Sequence, residues 1–306
     1  MINKEKSYLI QKDVIKRNDV LIKKVLTNID KEFPTSSGFW AYHAGLADGD
    51  GCFELIQNKG FIGKNVRYKI KLNDLAPVKA LADVYGTSIS KVVHSNKKWN
   101  DSYITRITGD RAYHFFKKVC PYLTEKRKHV TKLINVKFKN YHPEKIPMNK
   151  ANLGIHVSYM AGFFDAEGSV KCDLKTIKKL GKKGKPVKTI RVLCKMTNTD
   201  LTALKKIQTF ITSYPFTYNK KQMPIYSSLP KKNDRARKRR YDLHITDGKE
   251  LLFMALMEPA IMIPRKLEAI RKLKVLYAVD KMVGKRVATN YPINLKKELG
   301  LNQKIK

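Results

Sequence analysis

Acidic residues are scarce: 26 Asp and Glu stand against 63 Lys and Arg, a formal net charge of +37. A compact chain with that surplus repels itself, so a polyanionic partner is the economical resolution. Nucleic acid fits best, because each phosphate neutralised by Lys or Arg releases counterions. A Lys-rich composition without a partner is the bland alternative. An anionic membrane surface fits less well, since no strongly amphipathic basic helix stands alone. Long apolar runs are missing too; nothing approaches the ~18 residues of a membrane span. The opening MINKEKSYLIQKDVIKRND is charged throughout and carries no signal-peptide core. Cysteine is sparse, and Cys52, Cys120, Cys172 and Cys194 form no C-x-x-C pair. That spacing supports neither a zinc site nor a disulfide framework and suits a reducing, intracellular compartment. Organelle, phage-infected cell and bacterial cytoplasm all satisfy it. Apolar residues are not lacking: 42% hydrophobic and 9% aromatic exclude a disordered chain, and 306 residues suffice for two domains or one with internal symmetry.

The second possibility is written in the sequence as a repeat. FWAYHAGLADGDGCFEL (39–55) matches HVSYMAGFFDAEGSVKC (156–172), aligning Asp50 with Glu167. IKLNDLAPVKAL (70–81) then matches KMTNTDLTALKKI (195–207). YITRITGDRAYHFFKKVCPYL (103–123) matches YDLHITDGKELLFMALMEPAI (241–261), and EKRKHVTKLINV (125–136) matches PRKLEAIRKLKV (264–275). The order is kept while the offset grows, which places insertions in the loops of the second copy. Two are visible, KKLGKKGKPVK (178–188) and a stretch from about Pro224 to Arg240.

Each copy reads as helix, strand, strand, helix, strand, strand, helix, helix. Strands are expected at 51–58, 65–72, 88–95 and 102–108, with hairpin loops GFIGKN and NKKWND. Leu75, Val78, Leu81, Ala82 and Tyr85 recur at helical spacing. The organisation is then a basic N-terminal arm (1–35), a first half (36–140), a linker (141–154), a second half (155–284) and a basic tail (285–306).

Ser36 and Ser37 are expected to cap a helix beginning near Phe39, and His156 or Val157 to begin its counterpart. Ala41, Gly45 and Gly49 fall at i, i+4 and i+8, as do Ser158, Gly162 and Ala166. Such stripes let two helix backbones approach closely. A twofold relation would then bring Asp50 and Glu167, at the C-terminal ends, side by side. Acids are disfavoured at the negative end of a helix dipole. Paired there, they repel unless divalent cations lie between them. Asp48 and Asp165, two residues earlier on another face, read as structural, bonding backbone or basic groups at helix ends.

HAGLADGDG (43–51) and MAGFFDAEG (160–168) resemble the two motifs of single-chain LAGLIDADG homing endonucleases, and the likeness extends over roughly residues 36–280. The resemblance implies an α+β fold of duplicated αββαββα halves, with antiparallel sheets forming a pseudo-twofold, DNA-binding saddle. It implies a monomer that cuts a long duplex DNA target and needs no obligate protein partner or membrane. The cofactor would be Mg²⁺ or Mn²⁺, two or three ions, held by Asp50 and Glu167 with the backbone carbonyls of Gly49 and Ala166. His43 departs from the usual apolar residue, and Glu167 from the usual aspartate. The family's basic residue near the last helix maps to Lys126 in the first half, and to Arg265 or Lys266 in the second. Asn73 and Asn198 are candidates for ordering the attacking water. No intein splicing motif is visible, so the intron-encoded type is the closer match.

A two-stranded ribbon fits the major groove with alternate side chains facing the bases. Counting by two from the acids gives Glu54, Ile56 and Asn58 in one half and Lys171, Asp173 and Lys175 in the other. These faces differ, so the half-sites should differ. Phe53, Leu55, Val170 and Cys172 would pack under the helices. The runs KKLGKKGK and KKNDRARKRR would contact phosphates. The competing reading is an intron RNA maturase or a non-cutting binder on the same scaffold. Retention of both acids favours cutting.

Overall fold

The computed structural model describes residues 36–57, 64–95, 100–147, 150–177, 187–213, 223–229, 239–245 and 249–283. The N-terminal arm, the tail after Val283, Asn58 and most of the two basic insertions lie outside them.

The first half runs α1 (Ser36–Asp50), β1 (Cys52–Gln57), β2 (Lys64–Leu72), α2 (Leu75–Tyr85), β3 (Ile89–Val92), β4 (Ser102–Thr108), α3 (Gly109–Val119) and α4 (Arg127–Asn135). The second repeats it as α5 (Leu153–Glu167), β5 (Gly168–Ile177), β6 (Val187–Asn198), α6 (Leu201–Ser213), β7 (Ile225–Ser228), β8 (Arg240–Ile245), α7 (Lys249–Met257) and α8 (Pro264–Val283). The fold is α+β. Its two antiparallel four-stranded sheets have the orders β1-β2-β4-β3 and β5-β6-β8-β7, so the repeat is a repeat of topology.

Local chemistry accounts for the elements. In β2 and β4, Tyr68, Ile70 and Leu72 pair with Ile107, Thr105 and Tyr103 on one face, which the helices cover. Between them Arg67, Lys69 and Lys71 turn to the open face, the period-2 pattern of a half-buried sheet. Helix α2 buries Pro77, Val78, Leu81, Ala82 and Tyr85, and stops where Gly86 takes the left-handed conformation (φ 58°). Helix α3 buries Ala112, Tyr113, Phe115, Phe116 and Val119 against the same sheet.

Helices α1 and α5 are different. Tyr42, His43, Ala44, Leu46, Ala47 and Asp48 are all fully buried, as are Ala161, Phe163 and Phe164 opposite. A helix enclosed on every side marks the centre of the molecule. That enclosure also explains two corrections. Ser36 and Ser37 already lie within helix α1, so they are not its cap. Helix α5 begins at Leu153, three residues before His156. With no polar face, nothing in the pattern marks where such helices start.

Candidate functional site

The two central helices cross at their glycines. A Cβ on Gly45 would collide with the Tyr159 carbonyl, and one on Gly162 with the Tyr42 carbonyl. A Cβ on Gly49 would run into Ala166 and come within 3.1 Å of Glu167 Cγ. Two reciprocal hydrogen bonds lock the crossing. Tyr42 OH donates to Asp165 Oδ2 at 2.6 Å, and Tyr159 OH donates to Asp48 Oδ2 at 2.8 Å. Tyr42 and Tyr159 occupy equivalent positions in the repeat, so the repeat itself carries the signal for this pair.

Asp48 and Asp165 hold the last helices of each half. Asp48 accepts from the backbone N–H groups of Thr124 (2.7 Å), Glu125 (3.3 Å) and Lys126 (2.9 Å). Asp165 accepts from those of Met262 (2.9 Å) and Ile263 (3.2 Å). Burial raises both carboxyls above the usual range, and these donors pull them back. Each carboxylate therefore ties the opposite half's tyrosine to its own half's last helix.

The lysines behind those helix starts turn back on the motif. Lys126 Nζ donates to the carbonyls of Ala47 (2.7 Å), Gly51 (2.8 Å) and, longer, Gly49 (3.3 Å). Lys266 Nζ donates to Phe164 and Asp165, both at 2.7 Å. Each ammonium thus adds a donor to carbonyls where a helix dipole is negative, two of which, Ala47 and Phe164, already accept the backbone N–H of Gly51 and Gly168. Lys266 is 4% exposed, and burial lowers it to about 8. Of the two basic candidates in the second half, Lys266 takes the place equivalent to Lys126. Arg265 points elsewhere, clamping Asp74 of the first half at 2.8–3.1 Å.

At the ends of α1 and α5 stand Asp50 and Glu167. Among the described residues neither carboxylate accepts a hydrogen bond, and no ion pair forms on either. Asp50 opens to solvent, but the protein crowded around it raises its carboxyl, against Lys266 and Lys126, which lower it. Glu167 is pushed to about 7, first by burial and then by Asp50 itself. The two acids therefore share one locality and repel each other.

The structure does not gather the other candidates evenly. Asn198 is buried at the end of β6 and donates to Glu125 Oε2 at 3.1 Å. Asn73 is exposed, one residue beyond the equivalent point, because Leu72 opposite Tyr103 corresponds to Asn198 opposite Tyr241. On β1, Glu54 and Ile56 lie on the open face as expected, but Glu54 is engaged by Arg67 through a hydrogen-bonded ion pair. Leu55 is a correction: it is 43% exposed, on the edge strand β1, where the cover that encloses Phe53 does not reach it. Val170 packs against the core. Lys171, Asp173 and Lys175 lie in β5, but their side chains, and that of Cys172, fall outside the described residues.

The open faces also hold residues that counting from the acids missed. Arg67, Lys69 and Lys71 of β2 line the first sheet together with Arg106 of β4. On the second sheet Lys195 pairs with Asp242 at 2.9 Å, Thr197 bonds the same carboxylate at 2.7 Å, and Tyr226 packs on His244. Strand pairing was the missing information.

No protein-family model matches the sequence, and no curated protein matches it. By structure the chain is similar to the I-SmaMI LAGLIDADG homing endonuclease bound to cleaved DNA, with a TM-score of 0.53 at 18% identity, covering 88% of this chain and 98% of that one. It is similar to the I-LtrWI LAGLIDADG homing endonuclease bound to target DNA, with a TM-score of 0.54 at 12% identity, covering 89% and 99%. The LAGLIDADG meganuclease I-CpaMI bound to uncleaved DNA gives a TM-score of 0.52 at 13% identity, covering 86% and 99%. This chain has the LAGLIDADG homing-endonuclease fold. The likeness spans nearly the whole length of each of these proteins, so the LAGLIDADG architecture is present in both halves, and crossing motif helices are its centre here. Among the described residues no helix is long and apolar enough to cross a membrane.

Proposed function

We propose that this protein is a site-specific endonuclease that hydrolyses both strands of a long, asymmetric duplex DNA target with divalent metal ions. It acts as a monomer whose halves, residues 36–140 and 155–284, each read one half-site, and it is of the intron-encoded type. The observation that carries the reading is the pair of partnerless, mutually repelling carboxylates at the crossing of two motif helices. Solved proteins of the same fold are bound to target, uncleaved and cleaved DNA, and a net charge of +37 suits that ligand.

The residues fit a hard divalent cation. Asp50 and Glu167 supply oxygen donors that no group among the described residues satisfies, and a cation beside them would relieve the repulsion that raises Glu167. Among the described residues no group of three or more His, Cys, Asp or Glu converges. The backbone carbonyls of Gly49 and Ala166 would be further ligands, with water and phosphate completing the shell. Such ions polarise a scissile phosphate and generate a nucleophile at neutral pH. The chain's own part is positioning and charge. Gly45 and Gly162 set the distance between the acids. Lys126 and Lys266 hold positive charge at the helix ends, where negative charge on phosphate would develop. Arg67, Lys69, Lys71 and Arg106 on one open face, and Lys195, Asp242, His244 and Tyr226 on the other, present different chemistry to the grooves. Unlike half-sites follow.

The test is cleavage of a randomised duplex library by the wild type, Asp50→Asn and Glu167→Gln, with Mg²⁺ or Ca²⁺. Cutting at one long site, lost in both variants while binding persists, is expected. Tight binding without cutting, with intron RNA preferred over DNA, would replace this reading with a maturase.

A further inference from the structure

Tyr68 carries a hydroxyl that packing does not explain. It lies on β2 under the helices, fully buried, with its ring 5.0 Å from that of Phe53 and 4.4 Å from that of Phe115. Among the described residues its hydroxyl has no hydrogen-bond partner. A phenylalanine would fill the same space without leaving a buried polar atom unsatisfied, a state that proteins rarely tolerate. The hydroxyl is aimed at the turn that follows Asp50, and a Cβ on Gly51 would sit only 2.8 Å from it. Burial raises the phenol well above its ordinary value, and among charged groups Asp50 adds most, ahead of Asp48. The group is therefore a permanent O–H donor facing the acid that the proposed function assigns to a cation.

We propose that Tyr68 is a positioning residue for Asp50: with a divalent cation bound, the hydroxyl that is unpartnered here would donate to the Asp50 carboxylate and hold it in place. This rests on the reading of Asp50 as a cation ligand. Partners behind the ligands orient them, and their loss typically weakens metal binding about 10- to 100-fold. The device is confined to one half. Tyr68 opposite Ile107 corresponds to Cys194 opposite Ile245, where a short thiol replaces the long phenol. The half with the shorter acid has the longer partner behind it.

The experiment compares the full chain with Tyr68→Phe, Asp50→Asn and the double variant. Ca²⁺ alone is titrated calorimetrically, and melting is followed in chelator. Tyr68→Phe is expected to melt no lower than the wild type without metal, because an unsatisfied hydroxyl is removed. It should bind Ca²⁺ about 10-fold more weakly. In the Asp50→Asn background the same change should have no further effect. Unchanged Ca²⁺ affinity in a folded Tyr68→Phe protein overturns the proposal, as does an equal loss in both backgrounds. If the wild type and Asp50→Asn bind Ca²⁺ alike, the assignment of Asp50 as a ligand fails first and takes the positioning role with it.

Discussion

Gly45→Ala isolates the helix crossing from everything else in the molecule. The added methyl group meets the carbonyl of Tyr159, with Phe163 N at 2.8 Å and Tyr159 C at 2.9 Å. All three are backbone atoms of α5, so no rotamer change makes room. The helices must part or tilt. Overpacking of this kind costs about 1–3 kcal/mol. Parting also stretches the bonds from Tyr42 to Asp165 and from Tyr159 to Asp48. Hydrogen bonds to charged groups contribute roughly 1.5–3 kcal/mol each, so losing one brings the total to about 3 kcal/mol or more. At roughly 2 °C per kcal/mol for a chain of this size, the melting temperature should fall by about 6 °C. Cleavage should suffer more than stability, because a displacement of about 1 Å between reacting groups can cost ~100-fold in rate. Scanning fluorimetry and cleavage of the selected duplex measure the two effects. Val84→Ala, on a residue 52% exposed, is the neutral control. A Gly45→Ala protein that melts within about 1 °C of wild type and cuts at the wild-type rate refutes the close crossing.

Glu167→Gln should abolish cutting and also flatten a pH dependence of the metal-free protein. Because Glu167 is raised from 4.5 to about 7, the native state holds its proton longer than the unfolded chain does, and stability falls as pH rises across that window. Melting curves with chelator, wild type against variant, show whether that slope is lost. Lys266→Met takes the Nζ donor from the carbonyl of Asp165, at about 1–3 kcal/mol, while that of Phe164 keeps the Gly168 N–H. Lys266 is lowered from 10.5 to about 8, so its unfavourable contribution fades as pH rises between those values. Urea titrations should show the deficit of the variant widening over that range, and a constant deficit would contradict the assignment.

What the sequence made legible follows the physics of each signal. Strand β4 was expected at 102–108 and runs from Ser102 to Thr108, because alternation with bounding polar turns is a local code. The helix starts were misplaced because α1 and α5 have no polar face to break the pattern. Asp48 and Asp165 were expected to bond helix-end groups, and they do. The choice between Arg265 and Lys266 was closed to sequence reasoning. Adjacent residues differ by about 100° around a helix, and only the packed partner says which one turns to the motif. The open-face residues of β2 were missed because they are found by strand register, not by distance along the chain from the acids.

The repeat is most informative where it breaks. Arg265 and Glu125 each precede the lysine that caps a motif helix, and Asp74 and Asp200 each precede a helix, α2 or α6. On one side the pair is Arg265 with Asp74, a bidentate bridge between halves. On the other, both residues are acids. Burial raises Glu125 to about 7, Asp48 and then Asp200 add to the shift, and Lys126 and a hydrogen bond from Asn198 lower it. The native state therefore penalises ionised Glu125, and that penalty grows as pH rises from 4.5 to about 7. Glu125→Arg would restore the bridge to Asp200 and remove the penalty together. A partly exposed bridge contributes roughly 0.2–1 kcal/mol, so a rise in melting temperature of a degree or two is expected, larger at about pH 8 than at about pH 5. A gain that is equal at both pH values would mean that the arginine acts by packing alone. A loss at both would mean that Glu125 is held there by an attraction stronger than its repulsion from Asp200. Either result would break the correspondence between the two sides of the site.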